Sequence, residues 1–197
     1  MKKVYIFPRY FGNENSDWYK SAHLEISAID PNIQIIPLTL PNWDKPSIDE
    51  YISFIEQEIP PTKMDESTYF MGHSIGCRAA LLYLNKLHTD MPDLRIGGLM
   101  CVAGWWKLDK SWPQLQEWMN LKFNFEGIQH ICSNNIRCIL STNDPYTTNT
   151  TENKKAWEDN LKSKVIIVPK AKHFNEKEGF EEIMNELMLF TKQHENE

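Results

Sequence analysis

Residues 69–82 read YFMGHSIGCRAALL and contain a short apolar run, a G-x-S-x-G motif at positions 72–76 and a second apolar stretch. In this motif the two glycines allow a sharp, strained turn between a strand and a helix, and the turn lifts the serine hydroxyl above the sheet. The stretch therefore predicts a strand, a turn and a helix in that order. Ser74 is either a nucleophile or an ordinary turn serine that caps the helix.

The helix predicted after Gly76 is apolar around most of its circumference, with Ala79, Leu82 and Leu87 on different sides. A helix of this kind is typical of the buried middle of a fold. We therefore expect the motif at the centre of a sheet, where open α/β sheets bind ligands beyond the carboxyl ends of their strands.

Short apolar runs alternate with longer amphipathic stretches along the chain, a pattern that predicts βαβ units on a mainly parallel sheet. The predicted strands are 4–7, 34–37, 69–71, 98–102, 137–141 and 165–168. The predicted helices are 18–29, 48–59, 75–88, 111–119, 151–162 and 176–192. Two of the helices begin with the spacing of a capping box, Ser47 with Glu50 and Asn175 with Glu178.

Length and composition predict one globular domain over residues 1–197, with 41% hydrophobic and 24% charged residues. The net charge of −6 comes without a basic stripe, which argues against nucleic-acid binding. The weakly polar stretch 96–106 is too short to cross a bilayer, and the N-terminal apolar run ends at Pro8-Arg9, too early for a signal peptide. We expect a cytoplasmic protein with four reduced cysteines and no membrane segment.

Two later strands are followed by side chains that could activate Ser74. His173 lies in the loop after strand 165–168, whereas His73 should point away from the neighbouring hydroxyl. Asp144 follows strand 137–141, and Asp109, after the fourth strand, is the alternative acid. The order Ser, Asp, His is the one found in α/β hydrolases. A solvated loop histidine and a plain Asp-Pro turn are the alternatives to these roles.

Several segments resemble the small serine hydrolases of the α/β-hydrolase fold, the family that includes retinoblastoma-binding protein 9. They are GHSIG at 72–76, STNDPY at 141–146, KHFN at 172–175 and LPNW at 40–43. The resemblance extends over nearly the whole chain. It implies a three-layer α/β-hydrolase fold, with a mainly parallel six-stranded sheet in the order 2-1-3-4-5-6 and helices on both faces. Six strands and their helices use almost all 197 residues, so we expect no separate lid domain.

The resemblance also implies a triad of Ser74, Asp144 and His173, acting without a metal or a cofactor. Members often carry His-Gly after the first strand, where this chain has Pro8-Arg9. Proline has no N–H, so the resemblance transfers the oxyanion-hole donors to the backbone amides of Tyr10 and Ile75. Arg9, in place of glycine, would narrow the site or offer a charge to a substrate carboxylate.

A second departure from the family lies before His173, where Lys170-Ala171-Lys172 replaces the usual glycine. We expect this replacement to stiffen the loop that carries the histidine.

The connection 103–136 is rich in aromatic residues, and its 105–125 segment could line a pocket, pack on the sheet or bind a protein partner. We expect Trp105 or Trp106 to touch the substrate, because both follow the fourth strand directly. The sequence favours a serine hydrolase that cleaves a small ester or related acyl compound. The alternative is a protein- or ligand-binding module on a hydrolase scaffold.

Overall fold

The computed structural model describes residues 1–42 and 44–192. Trp43, the last residue of the LPNW turn, lies outside the described residues. The strands are β1 (Lys2–Phe7), β2 (Ile33–Pro37), β3 (Thr68–His73), β4 (Gly98–Val102), β5 (Ile136–Ser141) and β6 (Lys164–Val168). The α-helices are α1 (Tyr19–Ile29), α2 (Ile48–Glu58), α3 (Ile75–Asp90), α4 (Gln116–Met119), α5 (Phe125–Ile131), α6 (Thr150–Leu161) and α7 (Phe180–Lys192).

The six strands form one sheet in the order β2-β1-β3-β4-β5-β6, and every neighbouring pair is parallel. This confirms the predicted strand order. All carboxyl ends therefore meet at one edge of the sheet. The register pairs Phe7 with Gly72, so the loop after β1 begins directly beside the G-x-S-x-G motif.

Helices cover both faces of the sheet, as predicted. One core contains side chains of α2, α3, α5 and α6, and the other contains those of α1 and α7. Each core includes large rings that are completely or almost completely buried, such as Trp118 on the first face and Trp18 on the second. Burying rings of this size supplies a large share of the apolar surface that drives folding.

The β3–α3 unit occupies the middle of the molecule, as its apolar composition predicts. All six residues of β3 are buried, and so are ten residues of α3. The motif glycines permit this packing because they lack a side chain. A Cβ atom on Gly76 would lie 2.0 Å from the carbonyl oxygen of Phe7, and one on Gly72 would lie 2.5 Å from Cα of Cys77.

Two of the predicted helices differ from the structure. The predicted helix 111–119 is a single 3₁₀ turn, Pro113–Leu115, followed by the four-residue α4. The last helix begins at Phe180 rather than at 176. Helix α5 was not predicted, although its N-cap Asn124 accepts a hydrogen bond from the Gly127 amide.

Neither predicted capping box forms. The Ser47 side chain makes no cap hydrogen bond, and Glu50 instead accepts one from Asn42 Nδ2 at 2.7 Å. Asn175 lies five residues before α7, and Glu178 pairs with Lys172. The first box is thus replaced by a hydrogen bond to the preceding turn, and the second cannot form because α7 begins only at Phe180.

All four cysteines are buried free thiols, and no disulfide links them. Across residues 1–42 and 44–192, every helix is too short or too polar to span a lipid bilayer.

Candidate active site

Ser74 occupies a strained turn between β3 and α3. Its backbone angles are φ 56° and ψ −122°, and its side chain makes no cap hydrogen bond to the helix. A positive φ is costly for a residue other than glycine and persists only where the surrounding structure fixes it. Here the Ser74 amide donates to the Val102 carbonyl at 2.9 Å, and the Ser74 carbonyl accepts from the Cys77 amide at 3.0 Å. The hydroxyl is thus presented at the sheet edge without acting as a helix cap.

His173 and Asp144 form a buried hydrogen-bonded pair at the carboxyl ends of β6 and β5. His173 Nδ1 lies 2.7 Å from Asp144 Oδ2. The two residues are 4% and 8% exposed, so water screens the pair poorly. The other carboxylate oxygen of Asp144 accepts the Tyr146 amide at 2.9 Å. Asp144 is therefore fixed on both oxygens and holds the ring of His173 in one orientation.

The loop that carries His173 is strained and is held by side chains from elsewhere. Lys170, Lys172, Phe174 and Glu176 all have positive φ. Several side chains fix the loop backbone: Thr142 accepts from the Lys170 amide, Asn143 from the Lys172 amide, Asp17 from the Glu176 amide, and Trp18 Nε1 donates to the Phe174 carbonyl. An expensive backbone conformation is thus determined by contacts to several other segments.

His73 is fully buried beneath Ser74 and faces away from the cavity. Its Nδ1 lies 2.8 Å from the Tyr19 hydroxyl, and its Nε2 lies 2.8 Å from the His173 carbonyl oxygen. Burial lowers the pKa of His73 to about 3, and the neighbouring His173 acts in the same direction. The ring is therefore neutral at physiological pH.

The loop after β1 lies beside Ser74 at the rim of the same cavity. The Arg9 amide donates to the Tyr19 hydroxyl at 3.1 Å. Within residues 1–42 and 44–192, the amides of Tyr10 and Ile75 have no hydrogen-bond acceptor. Tyr10 lines the cavity and Ile75 directly follows Ser74. Unengaged amides so close to the serine are the kind of donor that an oxyanion requires.

The Arg9 side chain is held by a carboxylate of the protein. Its Nε and Nη2 donate to the two oxygens of Asp17 at 2.6 and 3.2 Å. The Asp17 side chain is 2% exposed and that of Arg9 is 25% exposed. Arg9 thus lines the cavity with its guanidinium charge already compensated by Asp17.

A cavity of about 310 Å³ brings these elements together. Ser74 and His173 both line it, together with Arg9 and Tyr10 from the loop after β1. The remaining wall is mostly apolar and includes Phe11, Trp105, Leu108, Trp112, Leu115 and Tyr146. Such a volume lies at the low end of the range for small-molecule sites, roughly 300–1,000 Å³.

The structure places Trp105 in the cavity wall and Trp106 outside it. The expectation that Trp106 belongs to the substrate pocket is therefore corrected. Its amide donates to Asn153 Oδ1 at 2.7 Å, and its ring packs 5.3 Å from that of Trp157. These contacts direct Trp106 toward α6, so that of the two tryptophans Trp105 lines the cavity.

The sequence analysis gave no role to Tyr146, and it left the segment that contains Trp112 and Leu115 open between pocket lining, packing and partner binding; all three residues line the cavity. The Tyr146 ring meets His173 edge-on with centroids 4.5 Å apart, and Trp112 packs against the same tyrosine. The position of Tyr146, two residues after Asp144, was a usable signal, because an Asp-Pro turn returns the following chain toward the carboxylate.

Asp109, the alternative acid, does not contact His173. Its carboxylate accepts from the Thr148 amide at 2.8 Å and from Asn149 Nδ2 at 2.7 Å. The residue is exposed. Asp109 thus stabilises the loop between Asp144 and α6 by hydrogen bonds to Thr148 and Asn149.

The aromatic segment packs largely on itself and on the core. Trp105 and Trp118 are buried, and the Trp106 ring makes edge contacts with Phe123 and Phe125, which pack on each other at a tilt. Arg78 lies between the rings of Trp105 and Trp106, at 5.4 and 5.2 Å from their centroids. Burial lowers the pKa of Arg78 to about 10, so it remains charged at neutral pH.

Within residues 1–42 and 44–192, no three or more His, Cys, Asp or Glu side chains are grouped as metal ligands.

The parallel sheet, its strand order and the sharp turn at Ser74 define the class of α/β-hydrolase-fold proteins. The family model "Serine hydrolase" matches residues 4–192, so the chain belongs to the serine hydrolase family.

YdeN of Bacillus subtilis (strain 168), a hydrolase by its name, is 25% identical over 179 residues, covering 91% of this chain and 89% of YdeN. The crystal structure of the B. subtilis ydeN product has a TM-score of 0.81 at 23% identity and covers 98% of this chain and 100% of that one. Est1E from Butyrivibrio proteoclasticus, solved with ferulic acid bound, has a TM-score of 0.68 at 12% identity, with 96% and 88% covered. The likeness to these structures shows the fold.

Proposed function

We propose that this serine hydrolase cleaves small esters or related acyl compounds, with Ser74 as nucleophile, His173 as general base and Asp144 as the group that orients the histidine. One observation carries the proposal. Ser74 and His173 line the same cavity, while Asp144 holds the far side of the imidazole at 2.7 Å. This is the division of roles that activates a serine hydroxyl.

In the proposed reaction, Ser74 Oγ attacks the substrate carbonyl carbon and its proton passes to Nε2 of His173. Asp144 stabilises the resulting imidazolium through the hydrogen bond at Nδ1. The tetrahedral intermediate collapses, and the alcohol leaves with the proton from His173. Water then attacks the acyl-serine ester with the same histidine as base, which releases the acid and restores Ser74.

The amides of Tyr10 and Ile75 are the proposed donors to the negative oxygen of the tetrahedral intermediate. Ile75 follows the nucleophile directly, and Tyr10 lies in the loop after β1, so the two donors come from the two segments that meet at the cavity rim. A preorganised donor of this type contributes roughly 3 to 4 kcal/mol to transition-state stabilisation.

The cavity wall favours an apolar acyl group of modest size. Trp105, Leu108 and Leu115 present apolar surface, and Asp17 already neutralises Arg9, the cationic side chain in the cavity lining. Uncharged esters with short to medium acyl chains are therefore the proposed substrate class.

Fluorophosphonate labelling tests the nucleophile. Wild-type protein should be labelled at Ser74, and Ser74→Ala should not be labelled. Ser163→Ala is the matched control, because Ser163 is also buried but lies just before β6 with its hydroxyl on the Lys164 carbonyl. Equal labelling of wild type and Ser74→Ala would contradict the assignment of Ser74 as nucleophile, whereas wild-type protein that is not labelled at all would favour a binding module.

The pocket assignment is tested by comparing two adjacent tryptophans. Trp105→Ala enlarges the cavity, so the kcat/KM ratio of p-nitrophenyl hexanoate to acetate should rise about tenfold. Trp106→Ala, which removes an equal side chain outside the cavity, should leave the ratio within about twofold of the wild-type value. An equal change in the hexanoate-to-acetate ratio in both variants would contradict the assignment of Trp105 to the substrate pocket.

A further inference from the structure

A chain of buried hydrogen bonds runs beneath the cavity from the loop after β1 to the loop after β6. The Arg9 amide lies 3.1 Å from the Tyr19 hydroxyl, which lies 2.8 Å from His73 Nδ1. On the other side of the ring, His73 Nε2 lies 2.8 Å from the His173 carbonyl oxygen. Tyr19 and His73 are both 0% exposed.

The direction of each hydrogen bond follows from the chemistry of the groups. A carbonyl oxygen only accepts, so His73 must carry its proton on Nε2. The ring is neutral, which leaves Nδ1 as an acceptor for the Tyr19 hydroxyl. The Tyr19 oxygen in turn accepts the Arg9 amide. Burial raises the pKa of Tyr19 well above its usual value, so the phenol keeps the proton that it donates.

The two ends of this chain are adjacent to the groups that the reaction needs. Arg9 directly precedes Tyr10, the proposed oxyanion donor. His173 is the proposed base, and its own carbonyl receives the last hydrogen bond. The backbone on either side of His173 has positive φ, at 43° for Lys172 and 56° for Phe174. A strained segment of this kind depends on outside contacts for its exact shape.

We propose that Tyr19 and His73 are positioning residues, which set the Tyr10 amide and the His173 imidazole relative to each other across the cavity. The inference rests on the proposed function, since it assigns a role in that reaction. Arg9 and Asp17 join the same two loops nearer the surface, because Asp17 also accepts the Glu176 amide at 3.0 Å. The Tyr19–His73 bridge is the interior connection, directly below Ser74.

Tyr19→Phe tests the bridge against a matched control, Tyr83→Phe. Both tyrosines are fully buried, and the Tyr83 hydroxyl donates to the Ile59 carbonyl at 2.6 Å. Tyr83 lies in α3, nine residues after Ser74. With p-nitrophenyl acetate, Tyr19→Phe should lower kcat about ten- to a hundredfold and leave KM within about threefold, because misplaced groups lose transition-state stabilisation. Tyr83→Phe should keep the wild-type kcat, even if its melting temperature falls as much as that of Tyr19→Phe.

A second pair of variants separates hydrogen bonding from packing. Glutamine at position 73 has one acceptor and two donors, whereas leucine has neither. His73→Gln should therefore retain a kcat about tenfold above that of His73→Leu.

The outcomes distinguish the two proposals. Wild-type kcat in Tyr19→Phe, equal losses in Tyr19→Phe and Tyr83→Phe, or a leucine variant as active as the glutamine variant would each overturn the positioning role alone. Wild-type protein without Ser74-dependent hydrolysis would overturn the proposed function and this role together.

Discussion

Lys172 adopts a left-handed backbone conformation, φ 43°, immediately before His173. A residue with a Cβ atom pays roughly 1–2 kcal/mol for this conformation, which glycine adopts freely. The lysine side chain offsets little of the cost, because its ion pair with Glu178 is largely exposed. The replacement of glycine before the histidine thus stores strain in the loop.

We therefore expect Lys172→Gly to be more stable than Lys172→Ala by about 1 kcal/mol, measured by chemical denaturation. The alanine variant is the control, since both variants lose the ion pair and only glycine relieves the backbone. An alanine variant equal to or more stable than the glycine variant would show that position 172 carries no such strain.

Helix α3 begins where the backbone of β1 passes closest to it. A Cβ atom on Gly76 would meet the Phe7 carbonyl at 2.0 Å, whereas one on Gly127 in α5 would meet the ring of His88 at 2.1 Å. A backbone carbonyl in the central strands has little room to move, but a side chain can turn aside.

Because of this contact with the Phe7 carbonyl, we expect Gly76→Ala to lower the free energy of unfolding by about 3 kcal/mol or more, or to prevent folding. Gly127→Ala should cost clearly less, because the His88 ring can rotate and alanine favours the helix by about 1 kcal/mol. Urea denaturation compares the two variants. A Gly76→Ala protein as stable as Gly127→Ala would mean that α3 can move away from β1 at little cost.

The fold encloses His73, the last residue of the central strand β3, and keeps its imidazole neutral. Burial, and secondarily His173, lowers the pKa of His73 from 6.5 to about 3, while Asp17 acts in the opposite direction. Below pH 6.5 the unfolded chain takes up a proton at His73 and the folded protein does not. The free energy of unfolding must therefore fall as the pH falls from about 6.5 toward 3, by up to about 1.4 kcal/mol per pH unit.

Between pH 7 and pH 5, wild-type protein should lose about 2 kcal/mol more stability than His73→Gln, measured by urea denaturation at each pH. The glutamine variant is the reference because all other titrating groups are common to both proteins. Equal losses in the two proteins would mean that His73 titrates alike in the folded and unfolded chains.

The pattern of apolar runs is enough to predict the six strands and the α/β class of the fold. Each of the six strands was predicted to within two residues at either end, and one boundary pair, 98–102, coincides with β4. Apolar runs of this length are specific to strands when amphipathic helices separate them, because the pattern repeats the layers of the fold. The sequence also predicts that Ser74, Asp144 and His173 lie close together. Each of them follows a strand, and the carboxyl ends of parallel strands lie at the same edge of the sheet.

Which of two neighbouring side chains faces the cavity depends instead on packing between distant segments. Trp105 and Trp106 are adjacent in sequence and alike in chemistry, and contacts with Asn153 and Trp157 turn one of them away. Side-chain direction in loops depends on partners far along the chain, and no local pattern records those partners.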